Sequence, residues 1–482
     1  MLNNFFATIG LEIHAVLSTK SKMFSNSKSC HNDKPNTNIS YMDLALPGIL
    51  PTVNKAAVEK GIALAHALNM NIDKHLFFDR KNYYYHDLPK GFQITQQFHP
   101  IGTNGKITLD NGNVIGIERI HLEEDTAKET TNNGKIYLDY NRSGMPLIEI
   151  VTKPDIHSSL DAVEFLTKLK RNLIFLDISN AKMEDGSLRV DVNISIAPVG
   201  SKQLGQRVEI KNINSFANVI KAINYEIKRQ TELILKNEKI LSATMRWNEQ
   251  TNKTEFMRMK DSENQYNFIP EKNIGNIYLT DEFVNSTIAR INKTPDVIKQ
   301  ELKQLNIKDE LIEQLLNDFD LYKVFTTVNT KINDPGLTIS WVIIELVSYL
   351  KNKNKQITDL TNRQIELITK LLTLLKSEEI NGKQAKIIFP EMLDDNKGPD
   401  IIMKEKNFIQ IKDEKVLEEL LNKIIDKNPN MLEQYDNRKE RVLKYYLGIL
   451  MAETKGQANP KTSNEVLIKI ITNKLKNNGT RR

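Results

Sequence analysis

The stretch MEDGSLRVDVNISI, residues 183–196, alternates apolar and polar side chains with a period of two. A strand does this when one face packs and the other stays polar. Leu188, Val190, Val192 and Ile194 form the apolar set, and Arg189, Asp191, Asn193 and Ser195 form the other. The same design recurs in RVEIKNINS, where Val208 and Ile210 oppose Arg207, Glu209 and Lys211. In GLEIHAVL, Leu11 and Ile13 oppose Glu12 and His14. In ERIHLEEDTAK, Ile120 and Leu122 oppose Arg119, His121 and Glu123, with Glu124 and Asp125 at the strand end. GMPLIEIVTKPD adds Glu149 inside an apolar run, where an unpaired carboxylate is costly to bury. Repetition of the pattern predicts a shallow sheet with one acid-rich face.

Each piece has a plainer reading. A single polar strand face is usually just solvated, and a single His such as His14 is usually a satisfied structural group. HLEED reads as an exposed acidic turn, MEDGS as a turn with Gly186 at positive φ, and Glu149 as a carboxylate neutralised by a nearby base. All of these would have to hold together for the face to be functionless.

At 482 residues the chain is long enough for two to three domains of about 150 residues each. Residues 1–291 hold all eight histidines and most of the period-2 alternation, broken by turns such as TNGK, NGN and NNGK. Two helices interrupt this region. SSLDAVEFLTKLKRNLIF has a Ser158-x-x-Asp161 start resembling a capping box and carries Val163, Leu166, Leu169 and Leu173, while Ser215 is placed to cap SFANVIKAINYEIKRQ. Residues 292–405 have helical spacing throughout, and 406–482 form a third, small helical module with a frayed end. The fold class is α+β: a sheet-based cradle domain, an all-helical domain and a small helical tail.

The single Cys30 excludes an internal disulfide framework and any multi-cysteine metal site, and it sits in a polar loop unlike a nucleophile's setting. No leader-like N-terminus and no run of roughly 20 apolar residues occurs, so a soluble cytosolic protein with no membrane partner is expected. The net charge of +6 permits a polyanionic partner without requiring one. There is no G-x-x-x-x-G-K-[ST] and no G-x-G-x-x-G. The acids with His14 suit a hard cation, Mg²⁺ or Mn²⁺, with Glu124 and His14 as ligands. Arg189 and Lys211, with Asn212 and Ser215 at the start of the following helix, are placed to receive a phosphate. Phosphoryl transfer follows from that pairing.

The motifs IGLEIHAVL, KMFSNS, DLALPGILPTVN, FDRKNYYYHDLPKGFQITQ, HLEEDTAK, NRSGMPLIEIVTKPDI, KMEDGSLRVDVNIS, EIKNINSF and KGQANP together resemble the B subunit of aspartyl/glutamyl-tRNA amidotransferase, the GatB family. The resemblance runs from the first strand to the last helical module. It implies a carbon–nitrogen ligase that amidates Glu-tRNA(Gln) or Asp-tRNA(Asn) with ATP and glutamine, in a heterotrimer with an amidase-type glutaminase and a small tethering subunit. It further implies Mg²⁺ on His14 and Glu124, with Glu12, Glu123 and Asp191 completing the acidic shell. Glu149, Glu184, Arg189, Glu209 and Lys211 would belong to the same cradle, Arg80, Lys81 and Tyr83 would line the ammonia route, and Lys444, Lys455 and Lys461 in the tail would meet tRNA phosphates. Many members carry a four-cysteine zinc knuckle before the LPG motif; here only Cys30 remains, and no structural zinc is expected. Two other classes stay open: a free-standing carboxylate–amine ligase acting on a small acid, and a non-catalytic RNA-binding scaffold, for which the acidic face is a poor design.

Overall fold

The computed structural model describes residues 4–479 apart from 31, 202, 260–265, 407, 409–410, 412, 433, 436–437 and 455. The chain divides into two compact units, 1–298 and 299–482.

The first unit begins with β1 (Phe5–Val16), α1 (Lys55–Ala67), β2 (Asn71–Ile72), β3 (His75–Leu76), β4 (Asp79–Asn82) and β5 (Phe92–Thr95). It continues with β6 (Gly102–Thr108), β7 (Val114–Glu124), β8 (Lys128–Asn132), β9 (Lys135–Asp139), β10 (Pro146–Thr152) and α2 (Ser159–Phe175). Then come β11 (Leu188–Pro198), β12 (Val208–Ile213), α3 (Phe216–Leu235), β13 (Ala243–Asn248), β14 (Lys253–Met259), β15 (Asn267–Pro270) and β16 (Ile277–Tyr278). Nine strands make one sheet in the order β14-β13-β12-β11-β1-β10-β7-β6-β2. Its neighbours run antiparallel except β12 and β13. A second sheet, β15-β4-β5, has three strands.

Alternation explains the layering. Ile9, Leu11, Ile13 and Ala15 of β1, Ile148 and Ile150 of β10, and Val190, Val192 and Ile194 of β11 are buried in a core shared with α1, α2 and α3. Each such isoleucine or leucine, withdrawn from water, contributes about 1.5–3 kcal/mol. The polar residues between them are thereby forced to the opposite face. Both serines cap their helices: Ser158 accepts from the N–H of Asp161 at 3.0 Å, and Ser215 from that of Asn218 at 3.1 Å, while the reciprocal half of a Ser158–Asp161 capping box does not form. The Asp161 carboxylate takes hydrogen bonds from the Asn111 and Asn113 amides.

Two of the three predicted turns are found: Gly112 at φ 88° between β6 and β7, and Asn133 and Gly134 at positive φ between β8 and β9. TNGK is different. It lies inside β6, where the register with β7 is unbroken: Thr103 faces Arg119 and Gly105 faces Ile117, with Asn104 between them at φ 57°. Gly105 lies against Leu68 and Met70, where a Cβ would come within 2.6 Å of the Met70 side chain. The turn signal here falls within a strand instead of ending it.

Among the described residues the second unit contains helices and one isolated bridge, Ile411 to Ala458. The helical spacing read from 361 onward appears as Asn362–Lys376, opened by a reciprocal Thr361–Gln364 capping box. Within this unit, apolar residues from Leu417 to Ile471 build a core of their own. The two compact units meet at 298/299, and residues from 406 onward belong to the second.

Candidate active site on the polar face of the sheet

Strand register brings the predicted residues together. Across β1 and β11, Glu12 faces Asp191 and His14 faces Arg189; across β1 and β10, His14 faces Glu149; across β10 and β7, Glu149 faces His121. Further along, Asn193 of β11 faces Glu209 of β12. Five central strands thus lay out one row of acids and imidazoles.

Glu149 is the centre of the row. Its Oε2 lies 3.2 Å from Nε2 of His14 and 3.2 Å from Nε2 of His121. The second imidazole also stands 3.8 Å from Oε2 of Glu123. Burial pushes the Glu149 carboxyl up, but His121 and His14 outweigh it and hold it well below the usual carboxylate range. For His121, burial pulls down while Glu149 and Glu123 lift it to about 9. Burial and the nearby Glu149 raise Glu12.

A second sheet reaches into this row. Lys81 of β4 comes within 3.9 Å of Glu123 Oε2 and lies over the Tyr266 ring. Gln93 of β5 donates to Glu123 Oε1 at 2.9 Å and to the Glu124 carbonyl at 2.8 Å, and its own oxygen accepts from the Tyr83 hydroxyl. Lys81 of β4 and Tyr83 just beyond it, both expected along the ammonia route, thus reach toward the acids. Arg80, the residue before Lys81, points elsewhere and grips Glu271 through two hydrogen bonds.

On the other flank Lys211 pairs with Asp191 and lies 3.5 Å from Glu209, which raise its affinity for the proton against burial. The second oxygen of Glu209 accepts from Thr244 at 2.8 Å. Arg189 pairs with Asp125. Asn212 is exposed at φ 63° with its amide 3.4 Å from the Trp247 carbonyl, while the Ser215 hydroxyl is engaged in the helix cap. Glu184 is exposed in the turn ahead of β11.

Glu124 departs from the expected arrangement. Strand parity puts it with Leu122 and Ile120, away from His14; it pairs with Lys90 and accepts from the Ile94 N–H at 2.9 Å. The donor atoms that do converge form two groups sharing Glu149: Glu12, His14 and Glu149, and His121, Glu123 and Glu149, each within 4.8 Å. Their chemistry fits a hard divalent cation, carboxylate oxygens with imidazole. Glu123 is 2% exposed, and its Oε2 makes no hydrogen bond among the described residues, with His121 Nε2 and Lys81 Nζ no nearer than 3.8 Å and 3.9 Å. His121 and Gln93 were not among the residues singled out for the site. The signal for His121 was its position on the same strand face as Glu123; Gln93 had none, because only the second sheet brings it near.

The loop between β1 and α1 is held by polar contacts: Asn141 accepts from the N–H groups of Thr37 and Asn38, and the fully buried Lys22 lies 3.2 Å from Asp43. In the tail, Lys444 is exposed 4.0 Å from Glu440 and Lys461 lies 3.8 Å from Glu378. Lys455 lies outside the described residues.

A sheet-borne cradle with an acid–imidazole row and a helical second unit defines the class. Residues 7–285 match the GatB/GatE catalytic domain family, and residues 323–471 match the GatB domain family. The chain is 51% identical over 473 residues to the B subunit of the aspartyl/glutamyl-tRNA(Asn/Gln) amidotransferase of Malacoplasma penetrans, covering 98% of both chains. It is 47% identical to the protein of the same name in Ureaplasma urealyticum and 41% to that in Mycoplasma capricolum, covering 98% of this chain and 100% of each relative. The chain belongs to the GatB family, the B subunits of aspartyl/glutamyl-tRNA amidotransferases. Among the described residues no helix is long and apolar enough to cross a membrane.

Proposed function

We propose that this chain performs the ATP-dependent amidation of glutamate on tRNA(Gln), of aspartate on tRNA(Asn), or of both. The observation that carries the reading is the convergence of Glu12, His14, His121, Glu123 and Glu149 on one sheet face, flanked by Lys211 and Arg189. Acids alone would repel ATP; acids that hold a cation beside fixed bases can receive it.

In this reading the side-chain carboxylate of the tRNA-linked amino acid attacks the γ-phosphorus of ATP, and the bond to the ADP oxygen breaks. Ammonia then attacks the activated carbonyl carbon; the phosphate leaves with the bonding pair, and the nitrogen loses a proton to give the amide. Little of this is covalent work for the protein, so positioning and charge carry it. Lys211, oriented by Asp191 and Glu209, and Arg189, oriented by Asp125, supply fixed positive charge for phosphate oxygens. The first turn of α3, after Asn212 and Ser215, adds backbone N–H groups. Glu12, His14, Glu123 and Glu149 are the residues that would hold Mg²⁺ or Mn²⁺, which when bound neutralises ATP oxygens. Glu184, exposed in its turn, has no step here.

The chain has no Gly/Ser-rich amidase stretch. Ammonia therefore comes from a partner, an amidase-type glutaminase, with a small tethering protein completing a cytoplasmic heterotrimer, and Lys81 and Tyr83 line its way in. The test uses the complex with both partners, radiolabelled ATP, and ammonium in place of glutamine. Phosphate release that requires Glu-tRNA(Gln) or Asp-tRNA(Asn), and falls on the order of 10²-fold in Glu149→Gln, is the expected outcome. Equal turnover on free glutamate would instead favour a free-standing ligase, and tRNA binding with no ATP cleavage a scaffold.

A further inference from the structure

Two imidazoles share one carboxylate oxygen. Nε2 of His14 and Nε2 of His121 each lie 3.2 Å from Oε2 of Glu149, and an acceptor oxygen requires a hydrogen on each of those nitrogens. The two differ in place. The His121 side chain is 5% exposed, and its Nδ1 is buried without a hydrogen bond among the described residues; that of His14 is 18% exposed and stands beside Glu12 in the first donor group. A cation taken by His14 through Nε2 needs that nitrogen free of hydrogen, so the His14–Glu149 hydrogen bond and metal binding exclude each other. With the cation in the first donor group, His121 is the imidazole of the two that can still hold Glu149.

We propose that His121 is the permanent anchor of Glu149, a positioning residue, and that His14 is the exchangeable one, which leaves Glu149 when a divalent cation arrives. The inference rests on the metal-dependent reading above. Buried partners of ligand carboxylates typically change metal affinity by about 10–100-fold. His121 reaches its ligand from a neighbouring strand, through Nε2 alone, which leaves Glu149 Oε1 and Glu123 Oε2 for the ion.

The test counts free Mn²⁺ by electron paramagnetic resonance with the purified heterotrimeric complex. His121→Phe keeps the ring volume and removes the donor; Mn²⁺ affinity is expected to fall at least tenfold. His121→Gln places an amide N–H where Nε2 stood and is expected to restore affinity to within about threefold of wild type, a rescue that also covers failure of the Phe variant to fold. In a Glu149→Gln background His121→Phe should have no further effect, whereas His14→Asn should still weaken binding. Unchanged affinity in His121→Phe, or an equal loss in both backgrounds, overturns the anchor role while leaving the metal reading in place. A wild-type complex that binds no Mn²⁺ overturns both.

Discussion

Glu123 and Glu124 are adjacent in sequence and serve opposite sides of one strand. Glu123 turns to the polar face, 3.8 Å from His121 and held by the Gln93 amide, while Glu124 turns back toward the β5 backbone and Lys90. The period of two makes this separation unavoidable. Two carboxylates that look like one acidic pair therefore have separable roles.

The first prediction separates them. Glu123→Gln should weaken Mn²⁺ binding by about 10–100-fold with little change in stability, because the Gln side chain can keep the contact with Gln93. Glu124→Ala should leave Mn²⁺ affinity within about threefold. It should instead cost about 3–5 kcal/mol of folding stability, since Lys90, with a side chain 9% exposed, loses its buried partner. Denaturation curves beside metal titrations decide it; a large loss of metal affinity in Glu124→Ala would restore that residue to the ligand set.

The second concerns Lys211, bracketed by Asp191 and Glu209. Lys211→Met removes the fixed positive charge without removing side-chain bulk. ATP affinity, measured by calorimetry, should fall at least tenfold, while binding of Mn²⁺ alone should rise or hold because the acids are left less neutralised. A fall in both would mean that the lysine only shapes the strands.

Much of this arrangement is legible in the sequence because alternation is a physical constraint. Once Leu11, Ile13, Val190, Val192, Val208 and Ile210 must face a core, Glu12, His14, Asp191, Glu209 and Lys211 are committed to the other side. Helix caps at Ser158 and Ser215 were legible for the same reason: local chemistry decides them. The parity of β7 already separates Glu123 from Glu124, since His121 and Glu123 are two apart and Leu122 faces the core. Partners from the second sheet were beyond local reading. Gln93, Lys81 and Lys90 meet the acids only because β4 and β5 fold against β7, a long-range contact with no periodic trace. TNGK shows the limit from the other side, because an Asn-Gly pair favours positive φ whether the chain turns or, as at Asn104, continues in register along a strand.

A third prediction uses the pair Lys22 and Asp43, both buried. Burial lowers the proton affinity of Lys22, and Asp43 offsets only part of that. The folded chain thus releases this proton at a lower pH than the unfolded chain, so the unfolded state binds more protons between the folded value and about 10.5. In that window the wild type should gain stability with rising pH relative to Lys22→Met/Asp43→Asn. At pH 7 Lys22→Met alone should cost about 3–5 kcal/mol, with the double variant recovering a large part of it. Urea denaturation at pH 7 and pH 10 measures both; equal stability of the single and double variants would show that the pair is hydrated.

The last concerns the tail. Lys444 and Lys461 are 82% and 69% exposed, each near a single carboxylate. Exposed ion pairs at such distances contribute roughly 0–1 kcal/mol, so both lysines remain free to exchange Glu440 and Glu378 for phosphates. Each phosphate contact adds about 0.9 to the slope of log affinity against log salt on duplex nucleic acid. Lys444→Ala and Lys461→Ala should each reduce that slope for tRNA by about 1, by the same amount for cognate and non-cognate tRNA, since phosphate contacts carry no base information. Folding stability should stay within about 0.5 kcal/mol. A slope that does not move in either variant would make these lysines part of a solvated helix surface, and tRNA would then have to be held by the cradle and by groups elsewhere in the second unit.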